Sequence, residues 1–341
     1  MVVSRITPAR LHALLVKILP HGYIVAIQGA PGGGKTQIII GAAQECGMDV
    51  ILEHLSIADP TDYKGFPVMR KDGTCVFAPI GLIAKLLAIK KRTVVFIDDL
   101  GQAPHAVQAA LMQLLHGGRL NDVQLPMDLI TWVIATNGMG DRAAVQAVLE
   151  PVKSRCWSLL ELQVDVNDWC RWAYKSGKIA EEIIAFIRFK PEHLDKFEPT
   201  REWKNSPCPR TVEHASDLFR LGITDKDVLA GACGEAWALD FLSFLRVYKD
   251  LPSIDGILIE PTNAVIPQTI GARWAVSSGL VKRASSQNIG RILTYLKRLS
   301  TSAGSRDFEV MTVKDIIKSK PEATQSSDFN RWASDNDDVM A

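Results

Sequence analysis

Apolar residues change their spacing near the middle of this chain. Up to about residue 162, short apolar runs alternate with helix-spaced stretches; beyond it, helical spacing prevails. Leu11, Leu14, Leu15 and Ile18 recur at helical intervals behind Thr7-Pro8, so a capped helix is expected over 7–19. Tyr23–Ile27 reads as a buried strand, Gln37–Ala43 as helix and Asp49–Leu55 as a second strand. Asp72-Gly73 between the apolar runs of Phe66–Phe77 predicts a hairpin, and Leu82–Ile89 a helix ending at Lys90-Lys91-Arg92. Val94–Ile97 is continuously apolar, as a parallel strand covered on both faces must be, and it runs into Asp98-Asp99. Val107, Ala110, Leu111 and Leu114 mark a helix over His105–His116, stopped by Gly117-Gly118. A second short hairpin is expected at the Asn121-Asp122 turn. Leu129–Ala135 is another buried strand, followed by Thr136-Asn137-Gly138. A helix is expected from Asp141 through Pro151 to Arg155, then a fifth strand over Trp157–Leu162.

From there the expected helices are 169–174, 180–189, 211–221 and 237–248, then 272–283 and 288–299. Ile257-Leu258-Ile259, between Pro252 and Pro261, reads as strand-like. The polar tail from Ser319 is expected to be partly disordered. Three regions follow: an α/β unit over 1–163, an all-α unit over 164–251 and an extension over 252–341.

Composition narrows the picture only slightly. The 341 residues are 47% hydrophobic and 23% charged, enough for two or three globular domains. A formal net charge of +1 implies no large non-specific affinity for nucleic acid, though a local basic face would still permit binding. Six cysteines lack C-x-x-C spacing, which favours buried free thiols over disulfides or zinc. Without a signal-peptide pattern or a run of 18 apolar residues, a cytoplasmic chain with no membrane partner is expected.

The chemistry concentrates in Gly29-Ala30-Pro31-Gly32-Gly33-Gly34-Lys35-Thr36, which fits G-x-x-x-x-G-K-[ST] between a strand and a helix. A loop of small residues turns its N–H groups onto phosphates, and the following helix adds its N-terminal partial charge. Gly29 through Gln37 are therefore the candidate nucleotide-binding residues. Lys35 would meet the phosphates, and the Thr36 hydroxyl would hold Mg²⁺ together with Asp98. Asp99 would polarise the attacking water; taken alone, the two acids also fit a solvated strand end. Asn137, where a strand exits, would reach the γ-phosphate or that water, although an isolated Asn often caps a loop. Arg210, at the start of a helix whose dipole it opposes, points to a phosphate partner or is a surface arginine.

In this order the residues resemble the AAA+ ATPases, and more narrowly the MoxR branch in its stand-alone phage and prophage forms. The resemblance rests on Gly-Ala-Pro-Gly-Gly-Gly-Lys-Thr, on Ile-Asp-Asp-Leu-Gly-Gln-Ala-Pro with Val-Gln-Ala-Ala-Leu-Met-Gln-Leu-Leu, and on Ala-Thr-Asn-Gly. Asp141-Arg142, Leu149-Glu150-Pro151 with Ser154-Arg155, and Pro209-Arg210-Thr211 extend it. It covers residues 20 to 220. It implies an α/β P-loop core with five parallel strands flanked by helices, then an all-α lid, assembled as a ring, usually a hexamer, with ATP between neighbours. In that scheme Asn137 is sensor 1, Arg210 is sensor 2, and Arg155 is the arginine finger acting on the adjacent subunit, with Arg142 as second choice. The two hairpins match insertions of the branch. Its members often act as chaperone-like remodellers beside partners carrying a von Willebrand factor A domain. One departure is Asp98-Asp99 where the family has Asp-Glu, a side chain shorter by one methylene.

The expected activity is hydrolysis of ATP to ADP and phosphate, coupled to remodelling of a protein partner. A DNA-dependent motor or loader, and an ATP-locked assembly module with little turnover, are the alternatives.

Overall fold

The computed structural model describes residues 4–120, 123–141, 146–249 and 251–337. The chain divides into two compact units, Met1–Val164 and Asp165–Ala341. No helix among the described residues is long and apolar enough to cross a membrane.

The described strands of the first unit are, in chain order, β1 (Ser4–Ile6), β2 (Val25–Gln28), β3 (Asp49–His54), β4 (Phe66–Met69), β5 (Cys75–Ala78), β6 (Thr93–Asp98), β7 (Arg119–Leu120), β8 (Val123–Gln124), β9 (Ile130–Thr136) and β10 (Ser158–Leu162). Six of them form one parallel sheet in the order β1-β10-β2-β9-β6-β3. The helices are α1 (Pro8–Ile18), α2 (Lys35–Glu45), α3 (Gly81–Leu87), α4 (His105–Leu115) and α5 (Glu150–Lys153). Because side chains alternate across a strand, the continuous apolar run of β6 feeds two cores. Val94 and Phe96 join Leu11, Leu15, Ile39, Val133 and Leu160 on one face. Val95 and Ile97 join Leu86, Leu111, Leu114, Trp132 and Ile134 on the other. This is a parallel α/β sheet flanked by helices, with the P-loop at the carboxyl end of a central strand.

Several elements depart from expectation. The sheet has six strands instead of five, because Ser4-Arg5-Ile6, too short to show a period, adds β1 alongside β10. The strand read as buried at 49–55 is the edge strand β3, where Leu52 is 37% exposed. Within the helix expected from Asp141, residues 146–149 are not helical and α5 begins at Glu150, since Pro151 lies in its first turn, where a proline starts a helix and does not continue one. Residues 142–145, including Arg142, lie outside the described residues, as does the Asn121-Asp122 turn between the paired strands β7 and β8. The expected Asp72-Gly73 hairpin is formed by β4 and β5, with Gly73 at φ 81°.

The second unit is helical: α6 (Val166–Ser176), α7 (Glu181–Phe189), α8 (Pro209–Arg220), α9 (Lys226–Cys233), α10 (Glu235–Lys249), α11 (Ile254–Ile259), α12 (Ile270–Arg283), α13 (Ile289–Ala303), α14 (Asp307–Ser319) and α15 (Ser327–Ser334). Ile257-Leu258-Ile259 is helix and not strand, with the Ser253 hydroxyl accepting from Gly256 N at 3.3 Å as a cap. Helices from both sides of the expected 251/252 boundary share one packed unit: Tyr174 of α6 packs on the core of Val276, Leu280, Ile292 and Ile316. In the polar tail, Ser326 caps α15, whose Phe329 is buried in that same core.

Candidate functional site

The site forms where β2, β6 and β9 end side by side. β2 stops at Gln28, and Gly29 N donates to Thr136 O at 3.2 Å, so the loop begins as a continuation of sheet pairing. Gly32 and Gly34 take φ 75° and 93°, values that side chains disfavour, and Gly34 caps α2. At Gly29 a Cβ would meet Leu162 O at 3.1 Å, so the loop lies tight against β10. Ala30, Pro31 and Gly33 complete the turn, closed by Gly33 N to Ala30 O at 3.3 Å. Lys35, Thr36 and Gln37 are the first turn of α2.

Lys35 is buried to 8% exposure, and its Nζ donates to Gly29 O at 2.6 Å, Ala30 O at 3.1 Å and Asn137 Oδ1 at 2.9 Å. Asn137, equally buried, donates from Nδ2 to Asp99 Oδ1 at 3.2 Å. The amide can face only one way here: its oxygen must meet an ammonium that only donates, and its nitrogen a carboxylate that only accepts. Thr36 Oγ1 donates to Asp98 Oδ2 at 3.4 Å. Residues far apart in the chain thus form one line, Lys35–Asn137–Asp99, beside the Thr36–Asp98 pair.

Asp99 has φ 59° and ψ 34°, the left-handed region, and is the described non-glycine residue with positive φ. That conformation costs about 1–2 kcal/mol, as much as or more than one neutral hydrogen bond typically contributes, about 0.5–1.5 kcal/mol. It is held by more than one contact: Asp99 N donates to Asp98 Oδ1 at 3.0 Å, and Asn137 grips the carboxylate. Among side-chain-bearing residues, Asp and Asn tolerate this backbone best, which gives Asp99 a local reason to be the shorter acid. Asp141, expected to open a helix, instead accepts from Gly138 N at 2.7 Å and shapes the turn behind Asn137. Thr136, read in the sequence only as a strand end, accepts from Gly101 N at 3.1 Å.

The two arginines are not brought to this point within the first unit. Arg155 precedes β10 at the opposite end of the sheet, where Trp157 N pairs with Ile24 O. Its NH1 donates to Pro151 O at 2.5 Å, and its Nε is buried without a hydrogen-bond partner among the described residues. Arg210 is exposed in the first turn of α8, in the second unit.

Chemically, the hydroxyl of Thr36 and the carboxylate of Asp98 are the hard oxygen donors Mg²⁺ takes, phosphate and water oxygens usually supplying its other positions.

No protein-family model matches the chain, and no curated protein matches its sequence. Among solved structures, it is similar to a point mutant of Thermotoga maritima RuvB at 16% identity and a TM-score of 0.43, covering 90% of this chain and 85% of that one. The T. maritima RuvB Holliday junction branch migration motor matches at 15% identity and a TM-score of 0.39, over 91% and 85%. NtrX from Brucella abortus in complex with ADP matches at 11% identity and a TM-score of 0.43, over 90% and 68%. At this distance the fold reading stands on the chain's own strand order and loop.

Proposed function

We propose that this chain is an ATPase of the AAA+ class, most similar in its motifs to the MoxR branch, that hydrolyses ATP to ADP and phosphate and transmits the event to neighbouring copies in a ring. The observation that carries the reading is the line Lys35–Asn137–Asp99 beside Thr36–Asp98, assembled at the end of parallel strands behind a glycine loop. Loop N–H groups from Gly29 to Lys35 would bind the β- and γ-phosphates, with Lys35 giving up uncharged oxygens for phosphate oxygens. Mg²⁺, held by Thr36 and Asp98, would neutralise charge developing on the phosphates. Asp99 would accept a proton from the attacking water, and Asn137 would aim that water. Arg155 would act on the nucleotide of an adjacent copy, and Arg210 would be a second arginine at the nucleotide of its own chain.

The proposed cellular role is remodelling of a protein partner, such as one carrying a von Willebrand factor A domain. The test is ATP turnover by purified chain, measured with Arg155→Ala across protein concentration. The wild type should hydrolyse faster per subunit as concentration rises. The variant should bind ATP yet turn over about 10³–10⁵-fold more slowly. Equal turnover by the two proteins would defeat the shared-site reading, and no turnover by the wild type would defeat the ATPase reading itself.

A further inference from the structure

Thr136 links three segments of the site: the loop, the turn after Asp99 and the strand end at Asn137. Its carbonyl accepts from Gly29 N, the first residue of the loop, at 3.2 Å. Its hydroxyl accepts from Gly101 N at 3.1 Å and donates to Asn137 O at 3.2 Å. Gly101 is buried in the short 3₁₀ turn Leu100–Gln102 directly behind Asp99. That turn is fastened at two further points: Gln102 N donates to Asp99 O at 2.9 Å, and Gln146 N donates to Gly101 O at 2.6 Å. A left-handed non-glycine residue persists only where its surroundings over-determine it. Of these fastenings, the Thr136 hydroxyl is the one that comes from the strand carrying Asn137.

We propose that Thr136 is a positioning residue for hydrolysis: by binding the Gly101 N–H, its hydroxyl holds Asp99 in the left-handed conformation and at hydrogen-bond reach of Asn137. Register between base and water-orienting amide is then set by one side chain on β9. The inference deepens the ATPase reading and rests on it for its kinetic consequence, although the tether itself is a matter of hydrogen bonding. Substitution leaves the backbone bond from Gly29 N to Thr136 O in place, so the phosphate loop keeps its anchor. Valine has the shape of threonine and no oxygen, so Thr136→Val orphans a buried N–H while filling the same space. Serine restores the oxygen.

Two measurements on the full chain test this. In the first, turnover and nucleotide affinity are measured for Thr136→Val, Thr136→Ala and Thr136→Ser. The first two should lose about tenfold or more in kcat, as a small displacement of a catalytic group does. Affinity for a fluorescent ADP analogue should be unchanged, and the serine variant should recover turnover to within about twofold of wild type. In the second, amide hydrogen exchange at Gly101 should accelerate in the valine and alanine variants and stay slow with serine. Valine and alanine variants that turn over like an active wild type, or that keep Gly101 protected, would overturn the proposal. If the wild type has no turnover, the ATPase reading fails, and Gly101 exchange still decides whether the hydroxyl tethers the turn.

Discussion

Each unit buries a cation, Lys35 in one and Arg188 in the other, and the two sit in different surroundings. In the α/β unit Lys35 is held by hydrogen bonds to uncharged oxygens, two loop carbonyls and an amide. In the helical unit Arg188 of α7 is 6% exposed and binds both oxygens of Asp315 on α14, one at 2.6 Å, with Asn167 Oδ1 at 2.5 Å on its other arm. Burial nevertheless pushes the Asp315 carboxyl above its ordinary range, with Arg188 opposing. A guanidinium closed on a carboxylate fixes the register of two helices and is not available to a ligand. The carbonyl and amide oxygens that accept from Lys35 can give way to phosphate oxygens. Burial alone does not mark a site; Lys35 lies at a glycine loop, whereas Arg188 is closed on a carboxylate.

The largest expected effects lie in the α/β unit. Asp99→Asn should lower turnover by about 10²–10⁴-fold with nucleotide affinity kept, the magnitude of a lost general base. Binding isotherms and single-turnover hydrolysis check it, and a variant that hydrolyses normally would place the base elsewhere. The double replacement Arg188→Met with Asp315→Leu, which leaves no partner of the pair stranded, should keep affinity and turnover near wild type under the same assays; a catalytic defect there would erase the contrast between the two cations.

Next in size is the helical pair. Asp315→Ala should destabilise that unit by about 3–5 kcal/mol, because it strands a buried guanidinium. Replacing both partners by apolar residues, Arg188→Met with Asp315→Leu, should be neutral or stabilising by about 1–4 kcal/mol. Denaturant melts of the three proteins sharpen the comparison. A double variant as weak as the single one would mean that the charge pair itself supplies stability.

Thiol accessibility gives a third measurement. Burial pushes the Cys170 and Cys233 thiols up to about 12, while Cys75 is exposed on the hairpin. Alkylation of the native protein at pH about 8 should label Cys75 and spare Cys170 and Cys233 until denaturant is added. Rapid native labelling of Cys170 would show that the packing around Arg188, whose charge influences it, opens readily.

The smallest effect is a pH dependence at Asp240. A hydrogen bond from Lys190 holds its carboxyl below the ordinary range, burial opposes this, and His193 adds a second hydrogen bond. A carboxyl lowered by folding contributes stability above its unfolded value of 3.8 and loses it as pH falls through the folded value. The melting temperature advantage of wild type over Asp240→Asn should therefore stay constant down to pH about 5 and shrink as pH falls below about 4. A gap that widens on acidification would reverse the assignment.

Much of this was legible in the chain before it folded. Gly29 to Thr36 is one consecutive segment, and the glycines at 32 and 34 stand where positive φ is required, so the loop's conformation is a local property. Val94 to Ile97 is apolar without a break because the strand is covered on both faces, which is again written residue by residue. Elements with weak or conflicting patterns were not legible: β1 is three residues long, and Ile257 to Ile259 adopts helix because Ser253 caps it and Ile257 finds a helical core. Tertiary structure alone decided the meeting of Lys35 with Asn137, 102 positions apart, of Asn137 with Asp99, and of Gly101 with Thr136. Such contacts depend on which strands lie side by side, and strand order is settled by the packing of whole layers. The left-handed turn at Asp99 belongs to the same class: beside the local bonds to Asp98 and Gln102, contacts from Thr136 and Asn137 hold it there.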